Sequence, residues 1–345
     1  MTKGKASFRL TNLPNSTYVF LFAFVLASVL VPNFFTPGNI TTMLTQACVM
    51  MTLSAAMSMC LMTGCIDLSL GGMVSMTGVV IAILLKNQVH AGLAILAGIL
   101  SGTVFGMFNG FVVAKMKVPP FIATFGASGI AQSIANIISN ERTISWEQGS
   151  HSRLIELLGS NVLTVYFGPK PAQILSISAL LLMTVIILTI VLLVFKKTVL
   201  GSNIYALGAN EETARLSGID NVKWKIGIYA VSGFLAALAG MIVMIRTNSL
   251  QPTVGDGLEF QAVVAAVLGG NSMKGGKGSV PGAILGALTL YTVRNAMSLW
   301  GIDTSVVMVV IGGILVFGMI MNEIVNTVAE KRQLYRKTAG KEARL

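Results

Sequence analysis

The sequence predicts an all-α polytopic membrane protein of about ten transmembrane helices, and three observations predict it. Only 11% of the 345 residues are charged while 54% are hydrophobic, where an aqueous domain carries about 25% charged residues. Apolar runs recur from near the N-terminus to residue 322, most of them reaching the roughly 20 residues needed to cross about 30 Å of hydrocarbon. The basic residues gather in alternate connections, the asymmetry that orients membrane helices. No polar block is long enough for a soluble domain, so the chain reads as one membrane domain, 1–345.

In order, Lys3, Lys5 and Arg9 precede an apolar run at 18–31. A cleaved signal peptide competes with an uncleaved first span. Pro32, Asn33 and Phe34 stand where a small-x-small cleavage site would fall, which favours the span. Further spans are expected at 40–62, 66–85, 91–114, 120–139, 172–195, 226–245, 258–270, 280–299 and 304–322. The piece at 258–270 is short and reads as a half-helix or re-entrant segment, which requires other helices to bury its ends. With the first span starting inside, the inner connections hold Lys115, Lys117, Lys196, Lys197, Arg215, Lys223, Lys225, Lys274 and Lys277, besides the basic residues of both termini. Lys86, Arg142, Arg153, Lys170, Arg246 and Arg294 remain for the outer side or outer span ends. Both termini are therefore expected in the cytoplasm, and the net charge of +11 needs no nucleic acid.

The connection at 140–171 then faces outward with Glu141, Arg142, Trp146, Glu147, His151, Arg153 and Glu156. It reads either as a lip for a soluble partner or as a solvated link. His90 and His151 are the only histidines, so a histidine metal cluster is excluded and no metal ligand set is assigned. Cys48, Cys60 and Cys65 fall in or beside one apolar segment and read as small buried residues.

Gly98, Gly102, Gly106 and Gly110 recur every four residues in the fourth segment, and Gly278, Gly282 and Gly286 do so in the ninth. Such stripes let a neighbouring backbone approach closely. If segments two to five (about 40–139) and seven to ten (about 226–323) are two units, these stripes are counterparts on oppositely oriented repeats, a common transporter plan. Asp67 is nearly alone as an intramembrane charge, and its flanking glycines suggest a broken helix. Two uses stand for it: accepting from freed backbone N–H groups, or facing an aqueous path. Gln46, Ser69, Asn109 and Asn295 are further candidates for a polar path, with Gln132 and Asn136 beside them; interhelical hydrogen bonds are the default use of such residues.

Between the sixth and seventh spans lies a polar stretch, 196–225. Asn210 is a suitable helix N-cap. Glu211 and Glu212 then occupy the first turn, where the helix dipole favours them. Arg215 follows Glu211 by four residues, the better orientation for an ion pair. Ala214, Leu216 and Ser217 complete the segment, and Gly218 fits the C′ position. The expectation is a helix of about two turns, capped at both ends, docking on another protein from the cytoplasm.

Chemistry is sparse. Gly270-Asn-Ser-Met-Lys-Gly-Gly-Lys-Gly-Ser279 lacks the spacing of a phosphate loop. No metalloprotease or serine-hydrolase motif occurs, no catalytic residue is assigned, and the acidic line of a proton relay is missing. A transporter without its own motor but with a shaped inner helix implies that another protein supplies the energy. A stand-alone secondary carrier or channel is the alternative, since sodium coupling through backbone oxygens needs no such line.

At Thr63-Gly-Cys-Ile-Asp-Leu-Ser-Leu-Gly71, Asn109-Gly-Phe-Val-Val-Ala-Lys-Met-Lys-Val-Pro-Pro-Phe-Ile-Ala-Thr124, Tyr205-Ala-Leu-Gly-Ala-Asn-Glu-Glu-Thr-Ala-Arg-Leu-Ser-Gly-Ile219, Gln251-Pro252, Ala265–Ser279 and Arg294-Asn295, the chain resembles the permease subunits of bacterial ABC importers for monosaccharides, of the ribose type. The resemblance covers nearly the whole length. It implies a fold of the vitamin B12 importer type (type II ABC importer), a location in the bacterial inner membrane, and two permeases per complex, as a homodimer or with a paralogue. It also implies a cytoplasmic ABC ATPase that carries ATP and Mg, an extracytoplasmic solute-binding protein, and surrounding membrane lipid. Gly208–Gly218 would bear the coupling helix, with Asn210, Glu211, Glu212 and Arg215 at the ATPase contact. Cys65 and Ala209 stand where the family usually has glycine. Relatives carry pentoses, hexoses, nucleosides or a sugar-like signalling molecule, so the resemblance leaves the solute open.

Overall fold

The computed structural model describes residues 15–145, 153–168, 174–314, 316, 317 and 320. The basic residues of both termini, Trp146, Glu147, His151 and Lys170 lie outside them. The described chain is mostly helical. Five helices are long and apolar enough to cross a membrane: α2 (Pro37–Met62), α4 (Ala91–Ala114), α5 (Pro120–Ser139), α7 (Ala179–Lys197) and α10 (Asn221–Thr247). The other expected spans are also helical, as α1 (Asn15–Leu30), α3 (Leu70–Lys86), α11 (Leu258–Leu268), α12 (Val280–Leu299) and α13 (Thr304–Ile314).

Two helices make the centre. Along α2, every residue from Ala47 to Met62 is buried, and along α10 nearly every residue from Ile228 to Ile245 is. Both are apolar on all sides, which marks a helix enclosed by other helices. α4 and α3 pack against α10, and α12 and α11 against α2, while α2 and α10 also touch each other. Exchanging α2, α3 and α4 for α10, α11 and α12 therefore reproduces the same set of neighbours. α1 lies outside, on α12, and α7 on α2.

The α4 stripe is where α10 comes closest. A methyl group on Gly106 would collide with the Tyr229 carbonyl oxygen, and one on Gly102 would lie 2.8 Å from that of Gly233. Gly110 meets Ile226 in the same way, while Gly98 meets Ile81 of α3. The second stripe is shorter than the sequence suggests. Gly282 and Gly286 of α12 face Gly269 and Ala265 of α11, but Gly278 lies ahead of the helix, at φ +152°, against Asn271. The four-residue spacing is accidental there, because Ser279 caps α12 by accepting from the Gly282 N–H and the helix starts only at Val280. The two stripes thus face different neighbours, α10 in one case and α11 in the other.

At one end of the bundle, the described residues of the expected loop 140–171 include strands and a helix. β1 (Ile144–Ser145) pairs antiparallel with β4 (Ser249–Leu250), joining the chain after α5 to the chain after α10. α6 (Arg153–Gly159) and a hairpin of β2 (Asn161–Tyr166) with β3 (Ile174–Ser178) cover the start of α7. The opposite end carries α8 (Val199–Ala209) and α9 (Glu211–Leu216). α8 is not among the helices expected from the sequence; Gly201, Ile204 and Leu207, at near-helical spacing, form its buried face.

Candidate coupling site and the polar groups beneath it

α9 is six residues long and capped at both ends. Asn210 is extended, at φ −165°, and its side chain accepts from the Thr213 N–H at 2.9 Å. At the far end Gly218 takes φ +86°, a left-handed conformation that glycine enters without a Cβ clash. Its N–H donates to Arg215 and that of Ile219 to Ala214, the paired bonds of a Schellman end. The expected Glu211–Arg215 pair does not form. Glu211 instead receives the Lys225 ammonium, and the Asn221 amide donates to the Glu211 carbonyl at 2.7 Å. The reason is geometric: α10 begins directly behind α9, and Lys225 is mostly buried there with only Glu211 in reach. Arg215, Glu212 and Leu216 are left outward, Leu216 at 75% exposure, while Ala214 turns in at 3%.

Beneath this helix three backbones meet without side chains between them. A methyl group on Gly208 would collide with the Met62 carbonyl oxygen and lie 2.5 Å from the Gly276 nitrogen. One on Gly275 would sit 2.8 Å from the Gly64 nitrogen. The Gly276 N–H donates to Met62 at 2.9 Å, and the Tyr205 hydroxyl donates to the Gly278 carbonyl at 2.7 Å. Asn271 holds the glycine-rich turn: its Oδ1 accepts from Ser58 of α2 and from the Ser279 N–H, and its Nδ2 donates to Ala266. The segment rejected as a phosphate loop thus joins the end of α8 to the end of α2.

The end of α2 leads into the expected break. Residues 63–69 are not helical: the third span, expected from residue 66, is helix only from Leu70, so Asp67 lies in the α2–α3 connection, at 0% exposure. Its Oδ1 accepts from the Ser69 N–H and hydroxyl, and its Oδ2 from the Ser232 hydroxyl of α10 at 2.6 Å. Asn109 of α4 donates to the Ser69 hydroxyl at 2.8 Å. Thr124 of α5 accepts from the Leu68 N–H, and Tyr229 of α10 donates to the Ile66 carbonyl. Two helices, α5 and α10, therefore satisfy backbone groups that the break leaves open, and α4 holds its Ser69 side chain, as buried irregular chain requires. A second break enters opposite the first. Residues 251–257 lead into α11, the Gly255 N–H donates to Ser75 of α3 at 3.0 Å, and Gly255 lies directly against Gly71.

The candidate path residues separate accordingly. Asp67, Ser69 and Asn109 form one closed knot. Asn295 makes a reciprocal amide pair with Asn39, at 2.8 and 2.9 Å, tying α12 to the first turn of α2. Gln46 lines a cavity of about 610 Å³ near the hairpin, with Thr41, Thr42, Thr45, Ser160, Glu156, Arg246 and Asn248. A cleft beside α5 holds Gln132, Ser128, Asp256 and Glu259. Sequence reasoning passed over Ser232, Tyr229, Asn271 and this acidic pair. Ser232 and Tyr229 carried one available signal, polar groups on an otherwise apolar span.

Residues 39–319 match the protein family described as branched-chain amino acid transport system / permease component. The chain is 36% identical over 279 residues to the ribose import permease protein RbsC of Haemophilus influenzae, covering 81% of this chain and 83% of that one. It is 34% identical over 308 residues to RbsC of Escherichia coli K12, covering 89% and 92%. It is also 34% identical over 304 residues to the L-arabinose transport system permease protein AraH of the same strain, covering 88% of each. No solved structure matches.

Proposed function

The chain belongs to this permease family, and from that premise we propose that it is the transmembrane subunit of an ATP-binding-cassette importer that moves a monosaccharide, a pentose such as ribose or arabinose, into the cytoplasm. The sugar rests on the relatives, two of which are named for ribose and L-arabinose. The mechanism rests on α9: a doubly capped, outward-facing helix seated through Gly208 on the end of α2 and the turn before α12. In this reading a cytoplasmic ATPase, which holds the ATP and Mg, grips Glu212, Arg215 and Leu216. Its closure displaces α9 and α8 as one piece. The displacement passes through the Gly208–Met62–Gly276 contact to the α2 break and to α12. The permease is then a two-state element biased from outside.

At the other end, a solute-binding protein would deliver the sugar. The cavity at Gln46 offers hydroxyls, amides, Arg246 and Glu156, a mixture of donors and acceptors suited to a polyhydroxylated solute. The ten-span arrangement, the vitamin B12 importer type of fold, the inverted repeat, a second permease copy and cytoplasmic termini complete the proposal. The shared neighbour pattern of α2–α4 and α10–α12 supports the repeat. The test is Ala214→Pro. It removes the Ala214 N–H to Asn210 bond and costs roughly 3 kcal/mol inside a helix. The variant is expected in the membrane at normal abundance with labelled-pentose uptake abolished. Uptake at the wild-type rate would overturn the coupling role.

A further inference from the structure

The flank of the bundle beside the coupling segment carries a groove that none of the transport reading uses. It runs between α7, α8 and α10, floored by α2, with a volume of about 640 Å³. Its walls are Ile190, Val194, Leu200, Ile204, Val231 and Phe234. Ile190, Val194 and Val231 are open to the surroundings, so the groove faces outward from the bundle. Its inner end has a different character. Trp224 and Lys223 line it there, and Lys196 and Lys197, both exposed, end α7 directly after Phe195, which also lines it. Asp220 is the one carboxylate lining it, paired with Lys223 at 3.1 Å, with both side chains largely exposed. The Lys223 N–H and ammonium hold the Asp220 carboxyl below the usual carboxylate range. An exposed pair of this kind contributes little and leaves the ammonium available to a second anion.

We infer that this groove is a binding site for one anionic phospholipid, its acyl chain along the apolar wall and its phosphate at Lys196, Lys197 and Lys223. Apolar surface below and positive charge above match the two ends of such a lipid. Trp224 stands at their boundary, where amphipathic rings settle at a membrane interface. The lipid would lean on α8 through Leu200 and Ile204, and so would brace the piece that carries α9. The inference rests on the chain lying in a bilayer and not on the ATPase reading.

The test reads lipid retention on the full-length chain, apart from transport. Purified protein is exchanged into detergent with phosphatidylglycerol or phosphatidylcholine and bound lipid is counted by native mass spectrometry. One phosphatidylglycerol per chain is expected to remain where phosphatidylcholine is lost. Lys223→Ala and Lys196→Ala should each weaken retention about fivefold, the effect of one lysine near an anionic headgroup. Gly227→Leu should abolish it by filling the groove, since Gly227 lines the groove and a methyl group there meets nothing within 4 Å. The lysines are exposed, so their variants fold whether or not the glycine variant does. Equal retention of both lipids, or phosphatidylglycerol retention unchanged in the lysine variants, would overturn the site.

Discussion

Asp67 shows what a single charge does in this molecule. It holds three donors, Ser69 twice and Ser232 once, within a fully buried chain break. Removing the carboxylate leaves the Ser69 N–H without an acceptor, and an orphaned buried donor costs about 1–3 kcal/mol. Asp67→Ala should therefore lower the thermal midpoint in detergent clearly. Asp67→Asn should lower it much less, because the amide oxygen still accepts from Ser69 and the amide nitrogen can donate to the Ser232 hydroxyl. Equal midpoints for the alanine variant and wild type would show that the carboxylate does not hold the break. Of its three hydrogen bonds one comes from a backbone N–H, as the first sequence reading of Asp67 expects, and two come from serine hydroxyls. The sequence could not supply Ser232, which lies 165 positions away.

At the scale of elements, close approach replaces side-chain packing. α4 meets α10 through Gly102, Gly106 and Gly110, and α8 meets α2 through Gly208. In a close-packed interior the backbone on the far side cannot yield as a flexible side chain would, and overpacking costs about 1–3 kcal/mol. Gly106→Leu should reduce folded, membrane-inserted protein, whereas Gly126→Leu, on the open face of α5 with nothing within 4 Å, should not. Comparable losses in both would mean that the stripe on α4 is no tighter than open surface. Gly208→Ala is the subtler case. It separates α8 from Met62 and Gly276 by a methyl group, so it should lower uptake more than it lowers abundance. The α4 stripe was legible because it is periodic. The Gly208 contact was not, because it joins three distant parts of the chain.

The whole molecule is organised about two enclosed helices, α2 and α10, with α8 and α9 at one end. That arrangement can be tested for orientation. Cys48, Cys60 and Cys65 are buried, so a single cysteine introduced at the exposed Leu216 reports its own accessibility. Leu216→Cys should resist a membrane-impermeant maleimide in intact cells and react in inverted vesicles. Labelling from outside would put α9 on the wrong face and end the coupling scheme. Resistance in intact cells would also set Gln46 and its cavity at the outer end, where a delivered sugar would enter.

The sequence by itself determined the class, the apolar spans and the shape of α9. Each depends on local chemistry: apolar length, glycine spacing, and capping residues within a few positions of one another. It also carried the family, through motifs spread along the chain. Tertiary structure alone decided which residues meet. It moved Glu211 from Arg215 to Lys225, placed Gly278 outside its stripe, and turned the loop after α5 into a small ladder and hairpin. It also closed Asp67, Ser69 and Asn109 into one knot. Those outcomes depend on distances between segments far apart in the chain, and only packing sets such distances, since no local propensity carries them.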